Sequence, residues 1–295
     1  MAALRIRSTS AVLLLTCVAS LVSASSQVAS SHSLQSNSRT AAPSAATSSG
    51  LPRLVDIAKS TGIEFSHLSS PEAKYVVESM SGGVALIDCN RDGWPDIYFT
   101  NAPSVDIALT GKKARSALYR NNRDGTFTDV SDEAGVAVDQ DGNAQANMGA
   151  ALDDYNHTGR FSIAITHFNE QYTALFRNDG NMNFTDVSYA SGIAQSTTSY
   201  VGWSDEFIDF DNDGWDDFFL VNGHVYPQVD SIGMDSKFRE PKLLFLNQRD
   251  GKFQNTSKQV GPVIQELQVS RGTAMGDLFN NGKLDLVVEN FEGAR

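Results

Sequence analysis

The sequence has little cysteine, a deficit of positive charge and no apolar run long enough for a membrane span, and each shortage closes off a class of protein. Cysteine occurs twice, at Cys17 and Cys89. Two cysteines cannot make the disulfide framework of small exported domains, and no Cys-x-x-Cys pair offers a zinc or redox site. Basic residues number 23 against 35 acidic ones, leaving a net charge of −12. So acidic a chain lacks the broad basic face that nucleic acid or an anionic membrane surface requires. The apolar stretch 11–22 is too short to span a bilayer. No phosphate-binding glycine loop and no Gly-x-Ser-x-Gly elbow are present. The five histidines, His32, His67, His157, His167 and His224, lack zinc-site spacing.

What is present begins with a targeting segment. Arg5 and Arg7 precede the apolar stretch, and Val22, Ser23 and Ala24 form a small-residue cleavage site. Residues 1–24 therefore read as a signal peptide, which implies export and leaves no membrane insertion in the mature chain. Acylation at Cys17 is a weaker variant, because Thr16 suits the residue before such a cysteine poorly. Residues 25–50 are almost entirely Ser, Ala, Thr, Gln and Asn. Such a segment cannot bury enough surface to offset its ordering entropy, and it reads as a disordered tether. Cys89 then stands alone, expected to be buried and inert, so any staple in the fold is not sulfur.

The rest, residues 51–295, is repetitive. Segments 88–96, 154–162, 209–217 and 277–285 each open on Asp and carry Gly at the sixth position, at intervals of roughly 60 residues. Each is preceded and followed by short apolar runs, such as Val84 to Ile87 before the first and Ile97, Tyr98 and Phe99 after it. Each Asp loop is therefore the turn of a β-hairpin. A second hairpin recurs downstream. Asn121, Asn178 and Asn247 lead through Asp-Gly pairs to Phe127, Phe184 and Phe253. Asp-Gly between apolar runs is a strong hairpin signal. A glycine follows at matching places, Gly135, Gly192 and Gly261, and Asp56 and Gly62 repeat that spacing before the first loop.

Four strands per unit at this period predict an all-β fold, a propeller of four-stranded blades. A β-sandwich array is the alternative, but it would not need identical loops at one corner of each unit. Three blades are complete and the fourth stops after its second strand, about three and a half blades of an incomplete ring. Leu54, Val55, Asp56 and Ile57 read as a lone outer strand. The chain is expected to be the N-terminal part of a longer protein.

The Asp loops match the needs of calcium, a hard cation taking six to eight oxygens. Side chains at positions 1, 3, 5 and 9 supply oxygens, position 7 supplies a carbonyl, and Gly at position 6 allows the bend. The first loop offers Asp88, Asn90, Asp92, the Trp94 carbonyl and Asp96. The second offers Asp154, Asn156 and Thr158, with Ser162 at position 9. The third offers Asp209, Asp211, Asp213, the Trp215 carbonyl and Asp217. The fourth offers Asp277, Asn281 and Asp285, but Phe279 at position 3 cannot ligate. This is no EF-hand, since strands flank it and the closing acid sits at position 9. For any one loop the plainer alternative is an Asx-turn hairpin without metal. Four at matching places argue for the ion. Affinity follows ligand charge, so the expected order is third, first, fourth, second, with dissociation constants of about 10⁻⁴ to 10⁻³ M.

With its flanking strands, the nine-residue loop resembles the FG-GAP or VCBS repeat of integrin α-subunit propellers. The block from Leu118 through Asp124 and Gly125 to Phe127, Val130 and Gly135 is closer to the bacterial cartilage-acidic-protein-like (ASPIC/UnbV) family. So is the run from Asn222 to Pro227. The resemblance implies a calcium-binding propeller outside the cell or at its surface, followed in the family by further blades and an ASPIC/UnbV domain that this chain lacks. Phe279, and Thr158 and Ser162, depart from the pattern and put calcium in the fourth and second loops in doubt.

Two function classes follow. One is a non-catalytic adhesion or interaction module for an extracellular protein or glycan. The other is a secreted carbohydrate-active enzyme, lyase-like, on a calcium-stabilised propeller. The sequence shows no concentrated basic set for a lyase, and paired acids such as Asp153 and Asp154 are better explained by the metal loop, so the first is favoured. Loops between second and third strands vary in length, and variable loops on a rigid scaffold carry binding. The longest, 222–242, offers Tyr226, Phe238 and Arg239 as a partner surface.

Overall fold

The computed structural model describes residues 54–68, 70, 72, 78, 82–102, 104, 105 and 114–291. The expected signal peptide and tether lie outside the described residues. Three antiparallel sheets follow in chain order, each a four-stranded meander. The first joins β1 (Val84–Ile87), β2 (Asp96–Phe99), β3 (Ala117–Asn121) and β4 (Phe127–Asp129). The second joins β5 (Ala150–Asp153), β6 (Ser162–Ile165), β7 (Ala174–Gly180) and β8 (Asn183–Asp186). The third joins β9 (Gly202–Ile208), β10 (Asp217–Asn222), β11 (Leu243–Asn247) and β12 (Phe253–Asn255). A hairpin of β13 (Ser270–Gly276) and β14 (Asp285–Asn290) begins a fourth. The protein is all-β, and these are three and a half propeller blades.

Period-two alternation decides how the blades stack. In β6, Ile163 and Ile165 join a cluster with Ile87, Tyr98 and Leu118 of the first blade. Ala164 between them points the other way, into a cluster with Phe218 and Phe245 of the third. In β10, Phe218 and Leu220 face the second blade while Phe219 and Val221 join Leu286 of the fourth. A sheet covered on both faces needs apolar residues at consecutive positions, which is why β6 and β10 read as unbroken hydrophobic runs. Each of these side chains is buried, and the Val, Leu, Ile and Phe among them are worth about 1.5–3 kcal/mol apiece in transfer free energy. The outer faces of the first and last sheets are covered only in part among the described residues, the first by Phe65, which stacks on Phe99 with ring centroids 4.7 Å apart. Val84 and Leu86 are each 65% exposed, and Met275 and Val287 are 43% and 49% exposed.

Each complete blade ends in one device. Ser131, Ser188 and Ser257 take an N–H bond from their backbone to Asp129, Asp186 and Asn255, two residues earlier. Their hydroxyls accept the N–H of Leu118, Leu175 and Leu244 at the start of the third strand, at 2.8–2.9 Å. Beyond them lie the left-handed glycines noted in the sequence. A Cβ on Gly135 would come within 2.8 Å of the Phe184 carbonyl, and one on Gly192 within 2.9 Å of the Phe253 carbonyl. The spacing therefore marks where one blade's tail presses on the next blade's fourth strand. Gly62 meets Phe127 of the first blade in the same way, at 2.8 Å.

Residues 54–57 do not form the outer strand expected of them. They carry no strand pairing, and Leu54, Val55 and Ile57 are exposed. A strand exists only through pairing with a neighbouring strand, and no sheet among the described residues includes these positions.

Candidate metal centre

All four Asp loops close on one backbone plan. The first-position carboxylate caps the turn: Asp209 Oδ1 accepts the Asp213 N–H at 2.9 Å and Oδ2 accepts the Gly214 N–H at 3.0 Å. Asp88, Asp154 and Asp277 do the same for the fifth and sixth residues of their loops. Position 6 is left-handed throughout, at φ 84, 77, 86 and 76° for Gly93, Gly159, Gly214 and Gly282. Position 4 is left-handed too, and it carries Arg91, His157, Asn212 and Asn280. The two bends curl the loop back on its first-position carboxylate.

The third loop concentrates charge. Asp209, Asp211 and Asp217 place one carboxylate oxygen each within 4.8 Å of one another. Among the described residues no other group of three such side chains comes as close. The ninth residue is doubly anchored: Asp217 accepts the Phe210 N–H at 3.0 Å and the Asn247 N–H at 2.8 Å. Burial pushes its carboxyl up to about 6; the two N–H bonds oppose this and the charges of Asp211 and Asp213 add to it. Three carboxylates brought this close repel one another and would be relieved by a bound cation, so the donor set fits a hard ion.

The fourth carboxylate expected at this centre goes elsewhere. Asp213 Oδ2 takes both Nε and Nη2 of Arg249, at 3.1 and 2.6 Å, and Oδ1 takes the Trp215 N–H. Arg249 holds it below the usual carboxylate range. In the first loop Asp92 is taken by Arg123 in the same fashion, at 3.0 and 2.8 Å. The reason is the second hairpin: Arg123 and Arg249 sit two residues past the third-strand Asn, in left-handed positions that swing them back over the metal loop. Both hairpin turns therefore share one end of the blade, as the strand order requires.

The weaker loops are as unequal as their residues. Asn90 spends its carbonyl on the Asp92 N–H, and Asp96 is held by the Cys89 and Asn121 N–H groups. In the second loop the Thr158 hydroxyl turns to Asp154 and Asn156, while Ser162 is buried and accepts the Asn178 N–H. In the fourth, Asn281 caps Lys283, Asp285 accepts the Leu278 N–H, and Phe279 stands 62% exposed. Trp94 is half exposed at the rim. Cys89 is fully buried, and burial beside Asp96 and Asp88 drives its thiol far up.

One set of residues organises the loops and was seen in the sequence only as a spacing. Asn247 Nδ2 donates to the Asp216 carbonyl of its own loop and to the Tyr155 carbonyl of the preceding blade's loop, both at 2.9 Å. Asn178 repeats this, reaching Phe161 and Cys89 at 3.0 and 2.9 Å. Asn121 reaches Pro95 alone. Loops two and three also touch directly, His157 stacking on Trp215 with ring centroids 4.0 Å apart. Near this junction Asp153 is half-buried with its Oδ1 buried and unpartnered, and its carboxyl is pushed up to about 7 by burial and then by the charges of Asp216 and Asp154.

The long 222–242 connection is a folded insertion. It carries a short 3₁₀ helix, Pro227–Ser231, and a core of its own, in which Phe238 packs with Val229 and Val269. Phe238 is 8% exposed and so is not available to a partner, whereas Tyr226 and Arg239 remain exposed. The insertion is tied down by Glu240, which accepts the Val201 N–H and the Ser236 hydroxyl.

Comparison with known proteins agrees with this geometry. The FG-GAP-like repeat family model matches residues 209–288, the third metal loop through the fourth hairpin. Mouse cartilage acidic protein 1 is 27% identical over 224 residues, covering 72% of this chain and 31% of that one. The human protein is 27% identical over 223 residues, covering 72% and 30%. The chain thus spans about a third of the length of these relatives. Among solved structures, an Agrocybe aegerita lectin that recognises non-reducing terminal N-acetylglucosamine is similar over 71% of this chain and 47% of its own, at 16% identity and TM-score 0.34. The rhamnogalacturonan lyase YesW is similar over 70% and 44%, at 14% identity and TM-score 0.35. At those scores neither adds to the fold read from the sheets. No helix among the described residues is long and apolar enough to cross a membrane. Residues 209–288 thus match the FG-GAP-like repeat, and the chain is similar in sequence to the cartilage acidic proteins, in keeping with its repeat and loop plan.

Proposed function

We propose that this protein is exported and works as a calcium-stabilised, non-catalytic interaction module for an extracellular protein or glycan. The observation that carries the calcium reading is the convergence of Asp209, Asp211 and Asp217 in a loop whose backbone plan recurs four times. Calcium would be held by these three carboxylates and by the carbonyl of Trp215. It would supply the positive charge that the converging acids lack, and Asn247 would keep the loop in shape for it. Asp88, Asn90 and Asp96, with the Trp94 carbonyl, would form a second and weaker site. With Cys89 buried and alone among the described residues, the ion would take the place of disulfides in holding the hairpins. The uncovered apolar faces around Val84, Leu86, Met275 and Val287 suit the packing of further blades, in line with the greater length of the relatives.

Thermal melting tests the calcium reading. Chelation should lower the melting temperature, and added calcium, but not magnesium at equal ionic strength, should restore it. Superimposable curves would remove the basis of the proposal. Incubation with acidic polysaccharides, monitored for unsaturated products, tests the non-catalytic reading, and steady product release would overturn it.

A further inference from the structure

The second and third blades leave a cleft of about 340 Å³ between them, at the end where the metal loops lie. That is near the lower limit for small-molecule sites, which run from about 300 to 1,000 Å³, and it has room for one or two sugar units. Its wall gathers cations on an otherwise acidic protein. Arg177, Arg249 and Lys252 line it, against Asp250 as the only acid on its wall. Two of the cations are held from outside. Arg177 is fixed through Nε by Asp179 at 2.7 Å, and Arg249 through Nε and Nη2 by Asp213. Both Nη groups of Arg177, Nη1 of Arg249 and the Lys252 ammonium have no partner among the described residues. Guanidinium groups held on one edge and open on the other are pre-oriented for an anion, because the ordering cost is already met.

The remaining wall is aromatic. Trp215 borders the cleft, its indole backed by His157 at 4.0 Å and so held in place. A flat ring of this kind packs against the C–H face of a pyranose, whereas an acidic peptide needs only the charge. The matching junction between the first and second blades lacks these parts. Trp215 is replaced there by Arg160, which spends its Nε on the Asn178 carbonyl, and the Arg-Asp-Gly-Lys turn of the third blade is replaced by Asp179 and Gly180. The combination is therefore particular to one junction and is not a by-product of the repeat.

We propose that this cleft binds an acidic sugar unit of a glycan, its carboxylate or sulfate held by Arg177, Arg249 and Lys252 and its ring laid on Trp215. This deepens the interaction-module reading and rests on it, but it does not depend on calcium being the stabilising ion.

The test uses the purified full chain in calcium, titrated with trigalacturonate, with a sulfated uronate disaccharide and with neutral galactotriose, followed by tryptophan fluorescence and calorimetry. At least one anionic saccharide should bind saturably and more tightly than the neutral trimer, with affinity falling as salt rises. The two anionic arms show whether carboxylate or sulfate is preferred. The double variant Arg177→Gln/Lys252→Gln, both positions outside the metal loops, should lose about tenfold or more in affinity, as expected when charge-assisted bonds to a ligand are removed. Its melting temperature and the calcium dependence of that temperature should not change. The proposal is overturned if neither anionic saccharide binds, if the neutral trimer or oligoglutamate binds as tightly, or if the double variant binds as the wild type does. Unchanged melting on chelation would refute the calcium reading alone and leave this result standing.

Discussion

Replacing Asn247 tests whether the third-strand asparagine is the brace between successive metal loops. Its side chain makes three hydrogen bonds of 2.9 Å, donating to the Tyr155 and Asp216 carbonyls and accepting the Arg249 N–H. It is 6% exposed, and the bond to Tyr155 is fully buried. A net bond contributes about 1 kcal/mol, and a buried carbonyl left without a donor costs about 1–3 kcal/mol. Asn247→Ala removes the bonds, strands the Tyr155 carbonyl and partly strands that of Asp216. The expected loss is about 3 kcal/mol, or roughly 5–10 °C in melting temperature for a chain of this size. Asn247→Asp keeps the shape but sets an oxygen against the Tyr155 carbonyl, so it should cost at least as much at pH 7. Asn121 occupies the same place in the first blade but has only the exposed Pro95 carbonyl and the Arg123 N–H as partners. Asn121→Ala should therefore cost only about 1 kcal/mol. Differential scanning calorimetry of the three variants in one buffer makes the comparison. Equal losses for Asn121→Ala and Asn247→Ala, or a neutral Asn247→Asp, would refute the bracing argument.

Other consequences concern single residues. Asp211→Asn should weaken calcium binding far more than Thr158→Ala, because the first removes one of three converging carboxylates and the second a hydroxyl already bonded within its own loop; matching titration isotherms would contradict the ranking. Glu240 titrates at about 8 because burial disfavours its charge. A carboxyl raised above its unfolded value contributes stability that is complete below the unfolded range and is lost as pH climbs through the folded one. Wild-type stability should therefore decline between about pH 5 and 8, and Glu240→Gln should flatten that decline; parallel pH profiles in urea unfolding would contradict it. Phe238→Ala should cost about 3 kcal/mol by emptying the core of the insertion, while Tyr226→Ala should stay within about 0.5 kcal/mol. Similar unfolding midpoints for those two variants would show that Phe238 is not a core residue.

Much of the fold was legible because its signals are local. Asp-Gly turns, apolar runs of strand length and the recurrence of Asp88, Asp154, Asp209 and Asp277 are enough to define hairpins and count blades. The spacing from Asp56 to Gly62 was visible, but its meaning is a contact with Phe127, a residue far along the chain. The part of the site that was hidden is long-range in the same way. Nothing near Asp213 in sequence shows that Arg249 will claim it, since the two meet only when both hairpins fold to one end of the blade. The role of Asn178 and Asn247 depends on the preceding blade lying against their own. Phe238 read as part of a partner surface because its packing partners, Val229 and Val269, flank it at separations with no strand or helix period. The outer strand expected at residues 54–57 is unpaired among the described residues: its local pattern suits a strand, but pairing needs a neighbouring strand.

The central claim is that a hard cation sits among Asp209, Asp211 and Asp217. Crystals grown in calcium and then exchanged into terbium, with anomalous differences recorded at the terbium edge, would locate the ion directly. The account predicts the strongest peak between those three carboxylates, a weaker one in the loop of Asp88 and Asp96, and loss of the first in Asp211→Asn. An empty third loop at millimolar metal, or a stronger peak in the loop of Asp154, would contradict it.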